Sequence, residues 1–472
     1  MRDLNLTAAA RRENAFALAR ATTGDLESAG MALDLAILVS SNGTHLNDAF
    51  FVDCLISLLR RTVERVDAGE FGHGRPYAAE IIVGDARPRT DARHVFVNVS
   101  EMEMTITSAP NAAPRFAVSV PQLFLLIAAC YACGVSLQTA LGERLPYHAA
   151  DPFVLRFADL GVDGDALGEE FELGPAYLAG AGAIGNGFLW ALRTLKPRGT
   201  LHIVDDDTVS AGNLNRQVWF DSIDVGLPKA VQLAVHAQPT MPNLVLVPRV
   251  ARLQELPDRI APTWLRQLIV GVDSARARRS LQSELPYSVF DASTTDITQV
   301  TVHTNAVHNR GACLACIYPA DVVEEQRELH IAETLGVSVE MVRTERISGE
   351  ASALIVARYP DLTAATVTDV AYDTLFKQLC AAGTLRAGTP QAAVAPFAFV
   401  SALAGALLVV AVVRQLNPRA RTSASWNYWR VSPWHPPMLR NQDFRAPSPI
   451  CPHCSQPAVH AAIARTWGHT SA

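Results

Sequence analysis

The run Gly180-Ala181-Gly182-Ala183-Ile184-Gly185 has the residue types and spacing of a phosphate-binding turn. Gly180 permits a tight turn, Gly182 lets the backbone approach a phosphate, and Gly185 lets a strand and a helix pack closely. A helix that starts there offers free amides and a partial positive charge to an anion. Asp205 closes the next apolar segment, Thr200-Leu201-His202-Ile203-Val204, and is placed to accept hydrogen bonds from a ribose. Asp206 and Asp207 follow, then Asn213-Leu214-Asn215-Arg216-Gln217 and Gly226-Leu227-Pro228-Lys229. A dehydrogenase holds its pyrophosphate mainly through backbone amides and has no need of an arginine and a lysine there. A triphosphate that is to be split does need them, because negative charge must be stabilised as pyrophosphate leaves. Asp273, after Leu268-Ile269-Val270-Gly271-Val272, is suited to hold magnesium at the mouth of a sheet.

The cysteines carry a second chemistry. Cys313-Leu314-Ala315-Cys316 and Cys451-Pro452-His453-Cys454 are two metal-ligand knuckles whose four thiolates make a closed tetrahedral zinc site. Such a site would pin the C-terminal segment to the core. Cys130 and Cys133 sit in an apolar run with no charge to lower their pKa, and read as inert core thiols.

These groups need a scaffold. A strand ending at Ala179, a helix after Gly185 and the strand ending at Val204 form a βαβ unit. Lys229 to Ala237 reads as a helix, Val245 to Pro248 and Leu265 to Gly271 as strands, and Val289 to His303 as extended segments. The alternation predicts an α/β fold with a doubly wound, mainly parallel sheet and helices on both faces. Residues 1–165 read as a separate α/β domain, with strands at Leu33 to Val39, Ala79 to Val83 and His94 to Val99. Phe50 to Val66 has helical periodicity, with Arg60, Arg61 and Arg65 on its polar side. The first turn of this half, Ser40-Ser41-Asn42-Gly43-Thr44, lacks the glycine triad, so the half is not expected to hold a phosphate in the usual way. Residues 166–472 form the nucleotide-binding domain, and 319–390 within it form a helical insert. Ile331 to Val342 has a helix-turn-helix pattern, but acids outnumber bases from Asp321 to Asp361, which favours a structural or partner-binding role over DNA readout.

The chain has 472 residues, 49% hydrophobic and 18% charged, which suits a soluble globular protein of roughly two or three domains. A net charge of −6 provides no electrostatic case for nucleic acid or an anionic membrane. Ala392 to Val413 is uncharged and long enough to span a bilayer, yet its alanine content and Pro396 fit a helix packed all round by protein. Met1 to Arg20 has four arginines alongside Asp3 and Glu13 and no long apolar run, so neither a secretory signal nor a transit peptide is expected; the cysteines suit a reducing, cytoplasmic setting.

Taken together, the motifs resemble the ubiquitin-activating-enzyme-like (ThiF/MoeB-type) adenylating family, which includes the sulfur-carrier activators of molybdopterin and thiamine pathways. The resemblance rests on the glycine run, Val204-Asp205-Asp206-Asp207-Thr208-Val209, Asn213 to Gln217, Lys229, and Asp273 with Arg278 behind it, and extends from Leu173 to about Pro457. It implies that ATP is held with Asp205 on the ribose, that Asn213, Arg216, Gln217 and Lys229 meet the phosphates, and that Asp273 holds Mg2+; Asp207 belongs to the same site. Cys380, in Lys377-Gln378-Leu379-Cys380, lies where conjugating members carry the thioester-forming cysteine, and Lys377 one turn earlier could help lower its pKa. Two departures are visible. Ser274 stands where members usually have asparagine, and the short arginine motif that a partner subunit supplies has no clear match, with Arg11, Arg12 and the Arg60-Arg61 pair as alternatives.

The implied activity is adenylation of the C-terminal glycine of a ubiquitin-like, β-grasp protein, followed by a thioester on Cys380 and transfer to a conjugating enzyme. Related enzymes also share the zinc knuckles. The N-terminal half resembles degenerate adenylation domains and would serve dimerisation, as a homodimer, or carrier docking. Bacterial relatives with this two-part layout belong to conjugation systems associated with phage defence. Three other readings stay open: a sulfur-carrier adenylyltransferase, an NAD(P)-dependent oxidoreductase on the same βαβ unit, and a non-catalytic scaffold with a vestigial nucleotide site.

Overall fold

The computed structural model describes residues 6–22, 24–43, 46–68, 76–110, 116–117, 119–261, 263–307, 311–320, 322–344, 346–368, 370, 372, 375–376, 379, 395–422 and 425–468. Cys380 and Lys377 lie outside the described residues. The chain divides into two compact units, Met1–Ile317 with Val394–Ala472, and Tyr318–Ala393.

The larger unit holds two sheets built to one plan. The first has strands β1 (Ala36–Ser40), β2 (Arg65–Ala68), β3 (Ala79–Val83), β4 (Arg93–Val99), β5 (Glu103–Thr107) and β6 (Phe153–Arg156), in the order β2-β1-β3-β4-β5-β6. The strands from β2 to β4 run parallel, and β5 and β6 are antiparallel. Every residue of β1 and β3 is buried, the pattern of strands covered on both faces. The second sheet has β7 (Glu170–Ala179), β8 (Lys196–Val204), β9 (Leu244–Arg249), β10 (Gln267–Val270), β11 (Ser288–Thr295), β12 (Gln299–Ala306), β13 (Tyr428–Val431) and β14 (Gln442–Asp443), ordered β14-β13-β12-β11-β10-β7-β8-β9. From β9 to β11 it is parallel; β12, β13 and β14 are antiparallel. In both sheets the first strand lies between the second and a later parallel strand, and an antiparallel extension follows.

Helices α1 (Ala8–Thr22), α2 (Leu26–Leu33), α3 (Leu46–Leu59) and α4 (Gln122–Leu141) belong to the first half, and α5 (Ala183–Leu192), α6 (Lys229–Ala237) and α7 (Ala275–Ser283) to the second. A long apolar helix sits at the same point of each half: α4 between β5 and β6, and the helix Ala398–Leu416 between β12 and β13. Both are long and apolar enough to cross a membrane, and both are largely buried inside the protein. Every residue from Ala398 to Arg414 is buried, which accounts for the uncharged run as core. This central helix meets α5 backbone to backbone: a Cβ on Gly405 would lie 2.2 Å from the carbonyl carbon of Gly187, and one on Gly187 would lie 2.7 Å from the Ser401 oxygen.

Two sequence expectations change. The helix at Phe50 to Val66 ends at Leu59, and β2 begins at Arg65. Arg61 is accordingly not on a polar helix face; it is only 5% exposed. Strands β5, β6, β13 and β14 were not anticipated, because short strands owe their conformation to neighbours more than to their own pattern.

The smaller unit is helical, with segments Val322–Leu335, Val339–Arg343, Gly349–Arg358 and Ala364–Val367. Gly336, at φ +73°, turns the first into the second, whose start Ser338 caps with its side chain. Ile331, Leu335, Ile347, Ile355 and Val367 form its own core.

Gly405→Ala should destabilise the fold although alanine favours helix, because the added methyl has nowhere to go; a loss of about 1–3 kcal/mol is expected. Thermal unfolding checks this, and an unchanged melting temperature would contradict the close crossing.

Candidate nucleotide site and cysteine cluster

Strand β7 has β8 on one side and β10 on the other, so chain direction through the sheet reverses between β7 and β10. A crevice at the carboxyl ends of strands at such a reversal is where open α/β sheets bind ligands. Gly180, just beyond β7, has φ +101°, and a Cβ there would lie 2.9 Å from the carbonyl carbon of Gly271. A Cβ on Gly185 would come within 2.1 Å of the Gly180 oxygen. Gly182 differs: it is the N-cap of α5 and has open space where a Cβ would be. The turn therefore brings backbone and helix N-terminus up to an unfilled space, a fit for an anion.

Asp205 fixes this turn. One carboxylate oxygen accepts from the Ala181 amide at 2.6 Å and the other from the Asp207 amide at 2.8 Å. Burial raises its pKa, opposed by Lys229. Each oxygen keeps a lone pair that a ribose hydroxyl can use. Lys229 opens α6; its Nζ pairs with Asp207 at 3.0 Å, and its amide donates to the Asp207 carbonyl at 2.9 Å. The Asp207 side chain is 41% exposed against 11% for that of Lys229, so the lysine is the more buried partner of the pair.

Asn213 to Gln217 form a 3-10 turn and its exit. Asn213 closes the turn by accepting from the Ser210 amide at 3.1 Å. Arg216 donates to the Asn215 side-chain oxygen at 2.7 Å and lies 3.8 Å from Glu13 of α1. Burial lowers the Arg216 pKa, and the carboxylates of Glu13 and Asp273 oppose that, so Asp273 is within electrostatic reach of the guanidinium. Gln217 is buried, and its Oε1 has no partner among the described residues. Ser274 accepts from the Ala277 amide at 3.0 Å and caps α7, a task asparagine performs equally well. Arg278 is committed to the core, paired with Asp291 at 2.8 Å with both side chains buried.

The candidate arginines near the N-terminus also sort themselves. Arg61 donates to the Leu214, Val218 and Phe220 carbonyls, and burial pushes its pKa down to about 10. It grips the loop and is not free to reach a nucleotide. Arg11 pairs with Glu64 at 2.6 Å, and Arg12 lies over the Phe16 ring. Glu13 was missed by sequence reasoning, having no local pattern that points to Arg216.

The sulfurs of Cys313, Cys316, Cys451 and Cys454 all lie within 4.8 Å of one another. Contacts of 3.7, 3.6 and 3.2 Å join Cys313 to Cys316, Cys313 to Cys451 and Cys316 to Cys454. Tetrahedral zinc with bonds of about 2.3 Å needs sulfurs about 3.8 Å apart, so the donor set fits. The Ser448 and His453 amides donate to Cys316 and Cys451, as outer partners of a thiolate site do. Cys316 is drawn well below the ordinary thiol range, first by the hydrogen bond from Cys313. Cys130 and Cys133 are fully buried and their pKa values are pushed up by burial. Purified protein should carry one zinc per chain by elemental analysis, and Cys451→Ser should lose it and melt several degrees lower; undiminished zinc in that variant would exclude the quartet.

Residues 175–453 match the ThiF family, and residues 6–163 match the E1 N-terminal domain. The chain is 32% identical over 174 residues to an uncharacterized protein, y4jF, of Sinorhizobium fredii, covering 35% of this chain and 32% of that one. It is 36% identical over 109 residues to the NEDD8-activating enzyme E1 catalytic subunit of Saccharomyces cerevisiae, covering 22% and 35%. With the ubiquitin-activating enzyme E1 2 of Triticum aestivum the identity is 27% over 166 residues, covering 31% and 15%. The matched stretches thus span about a third or less of these relatives. The family match takes in more than half of the chain, including the glycine turn, Arg216, Lys229, Asp273, Cys313, Cys316 and Cys451, and the chain belongs to the ThiF family.

Proposed function

We propose that this protein activates a ubiquitin-like protein: it uses ATP to adenylate the carrier's C-terminal carboxylate, takes the acyl group on Cys380 as a thioester, and passes it to a conjugating enzyme. The observation that carries the reading is the linkage of Lys229, through Asp207 and Asp205, to a glycine turn whose Gly182 faces open space, with Asp273 acting electrostatically on Arg216. Backbone amides alone would serve a dinucleotide that stays intact; two cations and an acid suit a triphosphate that is cleaved.

In this reading Asp205 orients the turn and takes the ribose, while Asn213, Gln217, Arg216 and Lys229 meet the phosphates. Asp273, with Asp207 close to the lysine, would hold magnesium, whose charge would offset that of the phosphates. A carrier carboxylate oxygen attacks the α-phosphorus, the bond to the bridging oxygen of the β-phosphate breaks, and pyrophosphate leaves. The cations are already in place, so little reorganisation is needed as charge moves onto the leaving group. The Cys380 thiolate then attacks the acyl carbon and AMP departs. Membership of the ThiF family and the named relatives support the adenylation step; the assignment of Cys380 rests on its place in the sequence. The cysteine cluster is structural in this scheme, since four thiolates leave zinc no open position.

ATP–pyrophosphate exchange that depends on a β-grasp protein tests the reading. Lys229→Ala and Asp273→Ala should each lower it by about 10²–10³-fold. Tight NAD(P) binding with no response to ATP would overturn it. Cys380→Ser should leave exchange intact and abolish a dithiothreitol-sensitive adduct with the carrier; normal conjugation by that variant would remove Cys380 from the mechanism.

A further inference from the structure

We propose that the N-terminal half sets the position of Arg216, with Asn14 as a positioning residue that acts through Asn215. The inference depends on the reading of Arg216 as a phosphate ligand. Asn14 lies on α1 and is 1% exposed; Asn215 is fully buried. The Asn14 amide nitrogen donates to the Arg61 carbonyl at 2.7 Å and to the Thr62 carbonyl at 3.3 Å. Its oxygen accepts from the Asn215 nitrogen at 2.9 Å, and the Asn215 oxygen accepts from Arg216 at 2.7 Å.

The chain of bonds has one direction only. Carbonyls can only accept, so Asn14 must turn its nitrogen toward Arg61 and Thr62 and its oxygen toward Asn215. Asn215 must then offer its nitrogen to Asn14, which leaves its oxygen for Arg216. Two amide side chains, each free to face either way in isolation, are thereby set by two main-chain carbonyls of the other half. The same half grips the loop on both sides of Arg216. Thr7 donates to the Ala211 carbonyl at 2.9 Å, and the Arg61 guanidinium holds the carbonyls of Leu214, Val218 and Phe220. The result is an arginine whose anchor belongs to one half of the chain and whose target belongs to the other. This relay differs from direct contact between an N-terminal residue and ATP.

A double-mutant cycle tests it, read as the affinity of the full-length protein for ATP with magnesium and for adenosine by titration calorimetry. Asn14→Ala should weaken ATP binding about tenfold and leave adenosine binding within about twofold, the worth of one hydrogen bond to a charged group. In an Arg216→Ala background the same change should alter ATP affinity by less than about twofold, because its effect travels through the guanidinium. Equal weakening in both backgrounds, or parallel loss of adenosine binding, would show a purely structural role and overturn the inference. If Arg216→Ala itself leaves ATP affinity unchanged, the phosphate reading of Arg216 falls, and this inference with it. Should Asn14→Ala not fold, Asn14→Ser is used instead: its shorter side chain cannot span from the Arg61 carbonyl to Asn215, so the same weakening of ATP binding, lost in the Arg216→Ala background, is expected, and a weakening that persists there would overturn the relay.

Discussion

The constraint on which the rest depends is the contact of three stretches of bare backbone at the head of β7. Gly180, Gly185 and Gly271 approach so closely that a methyl group on either Gly180 or Gly185 would overlap main-chain atoms. That approach draws the start of α5 onto the sheet and opens the space at Gly182. The Gly187 and Gly405 crossing repeats the device two residues further along, seating α5 against the central helix. Asp205 then ties the turn to the end of β8. A phosphate cradle here is a consequence of helix and strands being pressed together without side chains between them.

The first half has the same strand plan and a different head. Its turn is filled from within: Ser41 donates to Asp48 at 2.8 Å, and Asn42 to Asp85 at 2.9 Å. Asp48 is a buried acid in the first turn of α3, where an incoming anion would be repelled. Glu80 of β3 is fully buried and accepts from Ser40, Thr90 and the Arg89 amide. Carboxylates of the chain itself thus take up the hydrogen-bond donors around this turn. This half also directs a set of donors and acceptors at the loop of the other half.

Much of this was legible in the sequence, where the determinants are local. The glycine spacing, the start of α6 at Lys229 and the two cysteine knuckles are short-range patterns, and each corresponds to one structural unit. Arg61 was not legible. Its partners lie more than 150 residues away, and an arginine that binds carbonyls looks the same in sequence as one that faces water. Asn14 and Glu13 share that difficulty, although an asparagine among alanines on one helical face is a faint signal of a buried polar contact. Arg278 looked like part of the nucleotide motif because it follows Asp273, yet its task is to anchor β11 through Asp291.

The cysteine cluster has a consequence for how the chain can vary. Cys313 and Cys451 are joined across 138 positions, and the helical unit Tyr318–Ala393 lies between them. Once both ends of such an excursion are fastened, the entropy of closing it depends only logarithmically on its length, about 0.6 kcal/mol for each doubling. Changes of length within Tyr318–Ala393 therefore carry a small closure cost, whereas the central helix and the last two strands, which also lie between the knuckles, are fixed by the core. A clasp of four sulfurs thus lets residues 318–393 differ in length while the two ends of the excursion stay where the sheet needs them.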